Sequence, residues 1–264
     1  MGWTKGVIFW ALILGSVFCG QGAWGREGAT VLFDQGHGQP FRVEQSGPLQ
    51  LSNLADLFRE EGVRVATTSE SLSGPFLSKA DALVISGSFV PLSPPEVEAV
   101  AAFVERGGRL CVMLHIGPPL NTLLDRLGVA ASNGVIRERE NLIGGEALNF
   151  RVTRLESHGL SAGLEEFHLY GAWALTNLGD NAYVLARTGP EAWVDLNRDE
   201  QFGGRDAVQS FGVAVAGELG KGAFVVFGDD ALFQNRFLGK ENRALGRNLA
   251  RWLAEGRGGA GSGP

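Results

Sequence analysis

Six side chains with acid–base or ligand chemistry fall in short polar turns, each directly after an apolar run. Asp34 and His37 follow Ala29–Phe33 (ATVLF), and Ser88 follows Ala82–Ser86 (ALVIS). His115 follows Leu110–Leu114 (LCVML), and Asp229 and Asp230 follow Gly222–Phe227 (GAFVVF). An imidazole changes charge near neutral pH. Beside a carboxylate it can move a proton, and two imidazoles with a carboxylate can hold a metal ion. Asp34, His37 and His115 are therefore the candidate catalytic residues, for metal-assisted hydrolysis. With Ser88, Asp229 and Asp230 they also form the candidate ligand-binding set. The same residues have a structural reading, because Asp caps turns and helix starts and a loop His is often only solvated.

A second pattern runs from Asp195 through Asn197 and Asp199 to Asp206 (DLNRDEQFGGRD). Oxygen ligands at alternating positions, closed by an acid at the twelfth, are the arrangement that wraps Ca²⁺. Glu200 stands where the sharp turn of such a loop takes Gly, and Asp206 is shorter than the usual Glu, so a polar hairpin is the competing reading. The chain has no Gly-x-Ser-x-Gly elbow, no phosphate-binding Gly-x-x-x-x-Gly-Lys loop and no dinucleotide fingerprint.

Turns from distant parts of a chain form one site only if the runs before them lie side by side. A parallel sheet does this, and its ligands sit beyond the carboxyl ends of the strands. Leu49, Leu51, Leu54, Leu57 and Phe58 recur at helical spacing before Gly62, and Val63–Ala66 reads as a strand. Ser93-Pro94-Pro95-Glu96 predicts a helix start: Ser93 caps, Pro94 suits the first position and Glu96 completes a capping box. Val97, Val100, Ala101 and Val104 supply its buried face, and Gly107-Gly108 end it. Asn121–Leu127 and Asn242–Leu253 read as further helices. Strands without polar alternation, each followed by a helix, predict a doubly wound, mostly parallel α/β sheet. From Val129 to Gly217 the chain is richer in Gly and polar residues, which predicts extra strands and long loops in the second half.

The ends read differently from this body. Lys5, then the apolar run Val7–Phe18, then small residues to Gly25 make the pattern of a secretory signal peptide over residues 1–25. The apolar run is shorter than the roughly 20 residues a bilayer span needs, so membrane attachment is expected only if the segment stays uncleaved. Residues 28–255 then form one domain, and the Gly-rich residues 256–264 a disordered tail. Cleavage removes Lys5 and Cys19, deepens the formal charge of −6 by one and leaves Cys111 alone, so no internal disulfide is expected. An acidic chain without a basic block argues against nucleic acid as a partner. The expected location is periplasmic or secreted, and the expected partner an envelope protein or a small-molecule ligand.

VLFDQGHGQ, LSPPEVEAVAAFVERGGRLCVML, GKGAFVVFGDDALFQN and NRALGRNLARWL together resemble an uncharacterised prokaryotic domain family. That family is similar to the class I glutamine amidotransferase-like superfamily, to extracytoplasmic domains of gliding-motility transport proteins and to a domain of intraflagellar transport proteins. The resemblance covers most of residues 29–255 and implies a flavodoxin-like fold. Active amidotransferases carry a nucleophilic Cys in a turn of the type Ile-Cys-x-Gly. The matching stretch here is Leu114-His115-Ile116-Gly117, which puts His115 in the place of the thiol. No His follows the last strand either, where the family's His and Glu partners are expected. The resemblance therefore implies a non-enzymatic binding or scaffold domain, in the setting of an envelope transport system, with the metal-assisted hydrolase as the alternative.

Overall fold

A computed structural model describes residues 1–2, 28–115, 119–196, 199 and 201–256. The expected signal segment beyond its first two residues, and the expected tail beyond Gly256, lie outside the described residues. The first half comprises β1 (Thr30–Asp34), α1 (Ser52–Glu60), β2 (Arg64–Thr68), α2 (Gly74–Leu77), β3 (Ala82–Ser86), α3 (Pro94–Glu105), β4 (Arg109–Met113) and α4 (Asn121–Leu127). Strands then dominate: β5 (Val129–Arg137), β6 (Leu142–Ile143), β7 (Glu146–Val152), β8 (Arg154–Leu155) and β9 (Phe167–Tyr170). They continue as β10 (Trp173–Asn177), β11 (Ala182–Arg187), β12 (Trp193–Val194), β13 (Ala207–Val208) and β14 (Gly212–Leu219). The chain closes with β15 (Gly222–Phe227) and α5 (Lys240–Ala254).

This is a mixed α/β fold on a 12-stranded sheet, with β6, β7 and β9 forming a separate three-stranded sheet. In the large sheet the order is β13-β12-β5-β10-β14-β15-β4-β3-β1-β2, with β11 and β8 branching from β14. Strands β2, β1, β3, β4 and β15 pair with one another in parallel. From β14 outward every pairing is antiparallel, so the expectation of a mostly parallel sheet is corrected. The reason lies in the connections. A parallel pair needs a crossover of a dozen or more residues, usually through an α-helix, and among the described residues no α-helix lies between β5 and β14.

The inner parallel strands β1, β3, β4 and β15 are apolar on both sides because both faces are covered, whereas β2 at the edge is largely polar. Val31 and Phe33 of β1 pack in one hydrophobic layer with Leu57 and Phe58 of α1 and Leu249 of α5. Leu32, between them, packs in the other layer with Val100 and Phe103 of α3 and Leu123 of α4. Alternation along a strand sends successive side chains to opposite faces, and here both faces are core. Each such fully buried Leu or Phe contributes about 1.5–3 kcal/mol of burial free energy. Helix α3 begins with the capping box expected from its sequence, Ser93 N–H donating to Glu96 Oε2 at 2.9 Å. Ala82–Ser86, Asn121–Leu127 and Gly222–Phe227 form the elements expected, with the same boundaries.

Candidate functional site

Registers Phe227↔Met113, Met113↔Ser86 and Ile85↔Asp34 align the carboxyl ends of β15, β4, β3 and β1. The turns that leave these ends carry all six candidate ligand residues, which form two Asp–His pairs rather than one cluster.

The first pair sits after β1. His37 Nδ1 lies 2.8 Å from Asp34 Oδ2, and His37 Nε2 lies 3.2 Å from Glu96 Oε1 at the start of α3. Gln39 donates its amide to Asp34 Oδ2 and accepts the His37 backbone N–H at 2.7 Å. The backbone N–H of Gly36 donates to Asp34 Oδ1 at 3.0 Å. The Asp34 side chain is fully buried and the His37 side chain 8% exposed. The hydrogen bond to Asp34 raises the His37 pKa; burial opposes it and is outweighed once the charges of Asp34 and Glu96 are added. Burial alone would raise Glu96, but hydrogen bonds from Ser93 and Leu72 and the His37 charge bring its carboxyl down to about 2. An imidazole between two carboxylates, each in hydrogen-bond contact, is a lock between the β1 turn and α3. Its polar atoms are spent on each other.

The second pair lies across the end of β4. His115 Nδ1 is 2.8 Å from Asp230 Oδ1, and the His115 carbonyl accepts the Trp173 indole N–H at 2.6 Å. The rings of Phe41 and Phe89 flank the imidazole, with centroids 5.2 and 4.9 Å away. Among the described residues, His115 Nε2 has no hydrogen-bond partner. Burial alone would lower the His115 pKa, but the hydrogen bond and charge of Asp230, with the charge of Asp229, raise it overall. Asp229 accepts backbone N–H groups from Tyr170 at 2.6 Å and Ala231 at 2.8 Å; burial and the Asp230 charge push it up to about 7. Asp230 is 2% exposed, and its Oδ2 is buried without a partner among the described residues. Gly87, at φ 63°, passes so close that a Cβ there would stand 2.5 Å from Asp230 Oδ2. That backbone conformation and that contact both call for Gly.

Ser88 joins the two pairs structurally: its hydroxyl donates to the His37 carbonyl at 3.2 Å. The backbone N–H groups of Phe89 and Val90 donate to the same oxygen at 3.0 Å each. Ser88 is thus a strut, and the residues it carries outward, Phe89 and Val90, are half exposed, with Phe89 beside His115. Cys111 lies within β4, fully buried, and burial pushes its thiol up, far from nucleophilic use.

Among the described residues no group of three His, Cys, Asp or Glu side chains is placed to hold a metal ion. Asp34 and His37 turn to each other and His115 turns to Asp230, so the three do not assemble as a ligand triplet. In the acidic loop, Asp199 Oδ1 accepts the Gln201 N–H at 2.9 Å and Asp206 Oδ2 the Gly203 N–H at 2.7 Å. Asp195 is buried beyond β12, and Asn197 lies outside the described residues. Two of the four expected oxygen ligands therefore brace the loop's own backbone.

Glu96, Gln39, Phe41, Phe89 and Trp173 complete the site and were not expected in it. Only Glu96 carried a signal, and that signal was its capping role.

The chain belongs to the family described as a domain of unknown function, DUF4350, whose sequence profile matches residues 43–250. Its solved structural neighbours include the mmIFT52 N-terminal domain, at 16% identity and a TM-score of 0.69, covering 86% of this chain and 98% of that one. A ThuA-like protein from Bacteroides uniformis is 13% identical with a TM-score of 0.53, over 88% of this chain and 93% of that one. A cytoplasmic protein from Salmonella typhimurium LT2 is 14% identical with a TM-score of 0.52, over 85% and 99%. At such identities the likeness is one of fold. Comparison with curated protein sequences finds no match.

Proposed function

We propose that this protein is an exported, non-enzymatic binding domain that receives a ligand or an envelope partner on the carboxyl edge of its parallel strands, over His115. The observation that carries the reading is the environment of that ring. Nδ1 is fixed by Asp230, Nε2 has no partner among the described residues, and the flanking rings are apolar, those of Phe41 and half-exposed Phe89. Such a site offers one oriented polar atom inside an apolar collar, the usual composition of a small recognition site. The nucleophile that an amidotransferase would need at this turn is replaced by His115, and the thiol of Cys111 is enclosed in the core.

The strand order β2-β1-β3-β4-β15, with α1 and α5 against one face and α2, α3 and α4 against the other, supports placing the domain with doubly wound, flavodoxin-like folds. It is in keeping with the class I glutamine amidotransferase-like superfamily. The N-terminal Lys5, apolar run and small residues support export to the periplasm or beyond.

Purified protein is expected to release no ammonia from glutamine, to turn over no ester or phosphoester panel substrate, and to carry no stoichiometric Zn²⁺ by elemental analysis. Turnover that disappears in His115→Ala, or one equivalent of Zn²⁺ lost on His37→Ala, would replace the binding reading with the hydrolase.

A further inference from the structure

The end of the sheet opposite His115 carries a concavity of about 530 Å³, within the range of roughly 300–1,000 Å³ typical of small-molecule sites. It lies where β4, β15 and β11 begin and where the β14–β15 hairpin turns. Arg109 opens β4, Gly222 opens β15, Tyr183 is the second residue of β11, and Lys221 sits in the hairpin. Helix α5 adds Trp252, and His158 enters from the loop after β8.

We propose that this concavity binds an uncharged, polyhydroxylated ring, that is, a hexose unit of a carbohydrate. The argument is independent of the reading for His115 and rests on three observations.

First, the aromatic groups are fixed and one of them is presented outward. His158 packs against both Tyr183 and Trp252, with centroids 6.4 and 6.1 Å away, and the Arg109 guanidinium lies 4.6 Å over the Trp252 ring. Trp252 is buried, whereas Tyr183 is 44% exposed at the concavity. The C–H face of a pyranose is apolar and can lie on an aromatic ring, with its hydroxyls left at the rim.

Second, the polar groups at the rim are numerous and their charges offset. Two cations, Arg109 and Lys221, and two carboxylates, Asp180 and Glu218, line it, and Arg109 is bridged by Glu255 at 3.3 Å. An anion or a cation gains little from such a balanced field, while hydroxyls, each donor and acceptor, can use both signs.

Third, His158 is held as a neutral donor. Its Nδ1 accepts the Leu160 backbone N–H at 3.1 Å, so the ring proton sits on Nε2. Burial, with the Arg109 charge added, lowers its pKa and keeps it neutral at neutral pH.

Saturation-transfer NMR of the full-length protein with methyl glucoside, galactoside and mannoside and with N-acetylglucosamine, each at millimolar concentration, tests the assignment. Benzoate and inorganic phosphate serve as charged comparators. At least one hexoside should receive saturation. Its affinity should fall about tenfold or more in Tyr183→Ala, stay within about threefold in Tyr183→Phe, and fall in Asp180→Ala. Tyr183 and Asp180 are surface residues, and an unchanged melting temperature verifies that each variant folds. Silence from every sugar overturns the proposal. So does binding of benzoate or phosphate alone, or a sugar signal that ignores both Tyr183→Ala and Asp180→Ala.

Discussion

Replacing His37 with alanine is expected to lower the unfolding free energy by about 3–5 kcal/mol, read as a lower midpoint in urea at unchanged slope. The ring bridges Asp34 at 2.8 Å and Glu96 at 3.2 Å, and the Asp34 side chain has no exposure to water. Without the imidazolium, Asp34 retains only the Gln39 amide and the Gly36 N–H, and a buried carboxylate with uncompensated charge is the costliest outcome of breaking an ion pair. The pH dependence has a definite sign. The folded-state pKa of His37 is raised above 6.5, so its contribution is full below that value and is lost as pH rises through the raised one. Glu96 is lowered from 4.5 to about 2, so its contribution is present above 4.5 and is lost as pH falls toward 2. The lock is therefore strongest between these limits, near pH 5–6. In His37→Ala the loss of stability on the alkaline side of that window should flatten. An unchanged alkaline limb, with a cost below about 1 kcal/mol, would show that the pair is not the lock described.

Gly228→Ala should destabilise by about 3 kcal/mol, at the top of the range for overpacking, and should disturb the His115 site as well. A Cβ at this position would overlap the Trp173 carbonyl oxygen and stand 3.2 Å from two further backbone atoms of Trp173. Neither chain is free to give way. The Trp173 N–H donates to the Gly228 carbonyl at 2.7 Å, and the Gly228 N–H donates to Val213 at 2.9 Å. Pushing β10 outward also pulls the Trp173 indole from the His115 carbonyl, and moves Asp229 and Asp230, the next two residues. Gly239→Ala is the control: no atom lies within 4 Å of its Cβ position, and the change should stay within about 0.5 kcal/mol. Equal effects at the two glycines would mean that the Trp173–Gly228 contact is not tight.

The parallel strands and their helices were legible because their physics is local. Leu110–Leu114 and Gly222–Phe227 are uninterrupted apolar runs, and Ser93-Pro94-Pro95-Glu96 encodes a helix start residue by residue. The antiparallel strands were not, because β6, β8, β12 and β13 are two residues long, and β8 and β12 pair with β11 and β5 far along the chain. At the site, Asp34 and His37 were readable as neighbours within one turn. The partnership of His115 with Asp230 spans 115 residues and exists only because β4 and β15 are adjacent. The second contact of Glu96 was hidden by its first: Oε2 receives Ser93, as the capping box requires, while Oε1 faces His37 across 59 residues. The apolar collar had no signature, since Phe41 and Phe89 look like ordinary loop aromatics until the β1 and β3 turns are folded beside His115.

The binding role of the His115 face is tested most directly by a photo-crosslinking amino acid at position 89, in cells producing the full-length protein. The account predicts an adduct in the envelope fraction that forms at position 89, does not form from an equivalent probe at Glu70, and disappears in His115→Ala at unchanged melting temperature. Protein found only in the cytoplasm, or an adduct that is indifferent to His115, would contradict it.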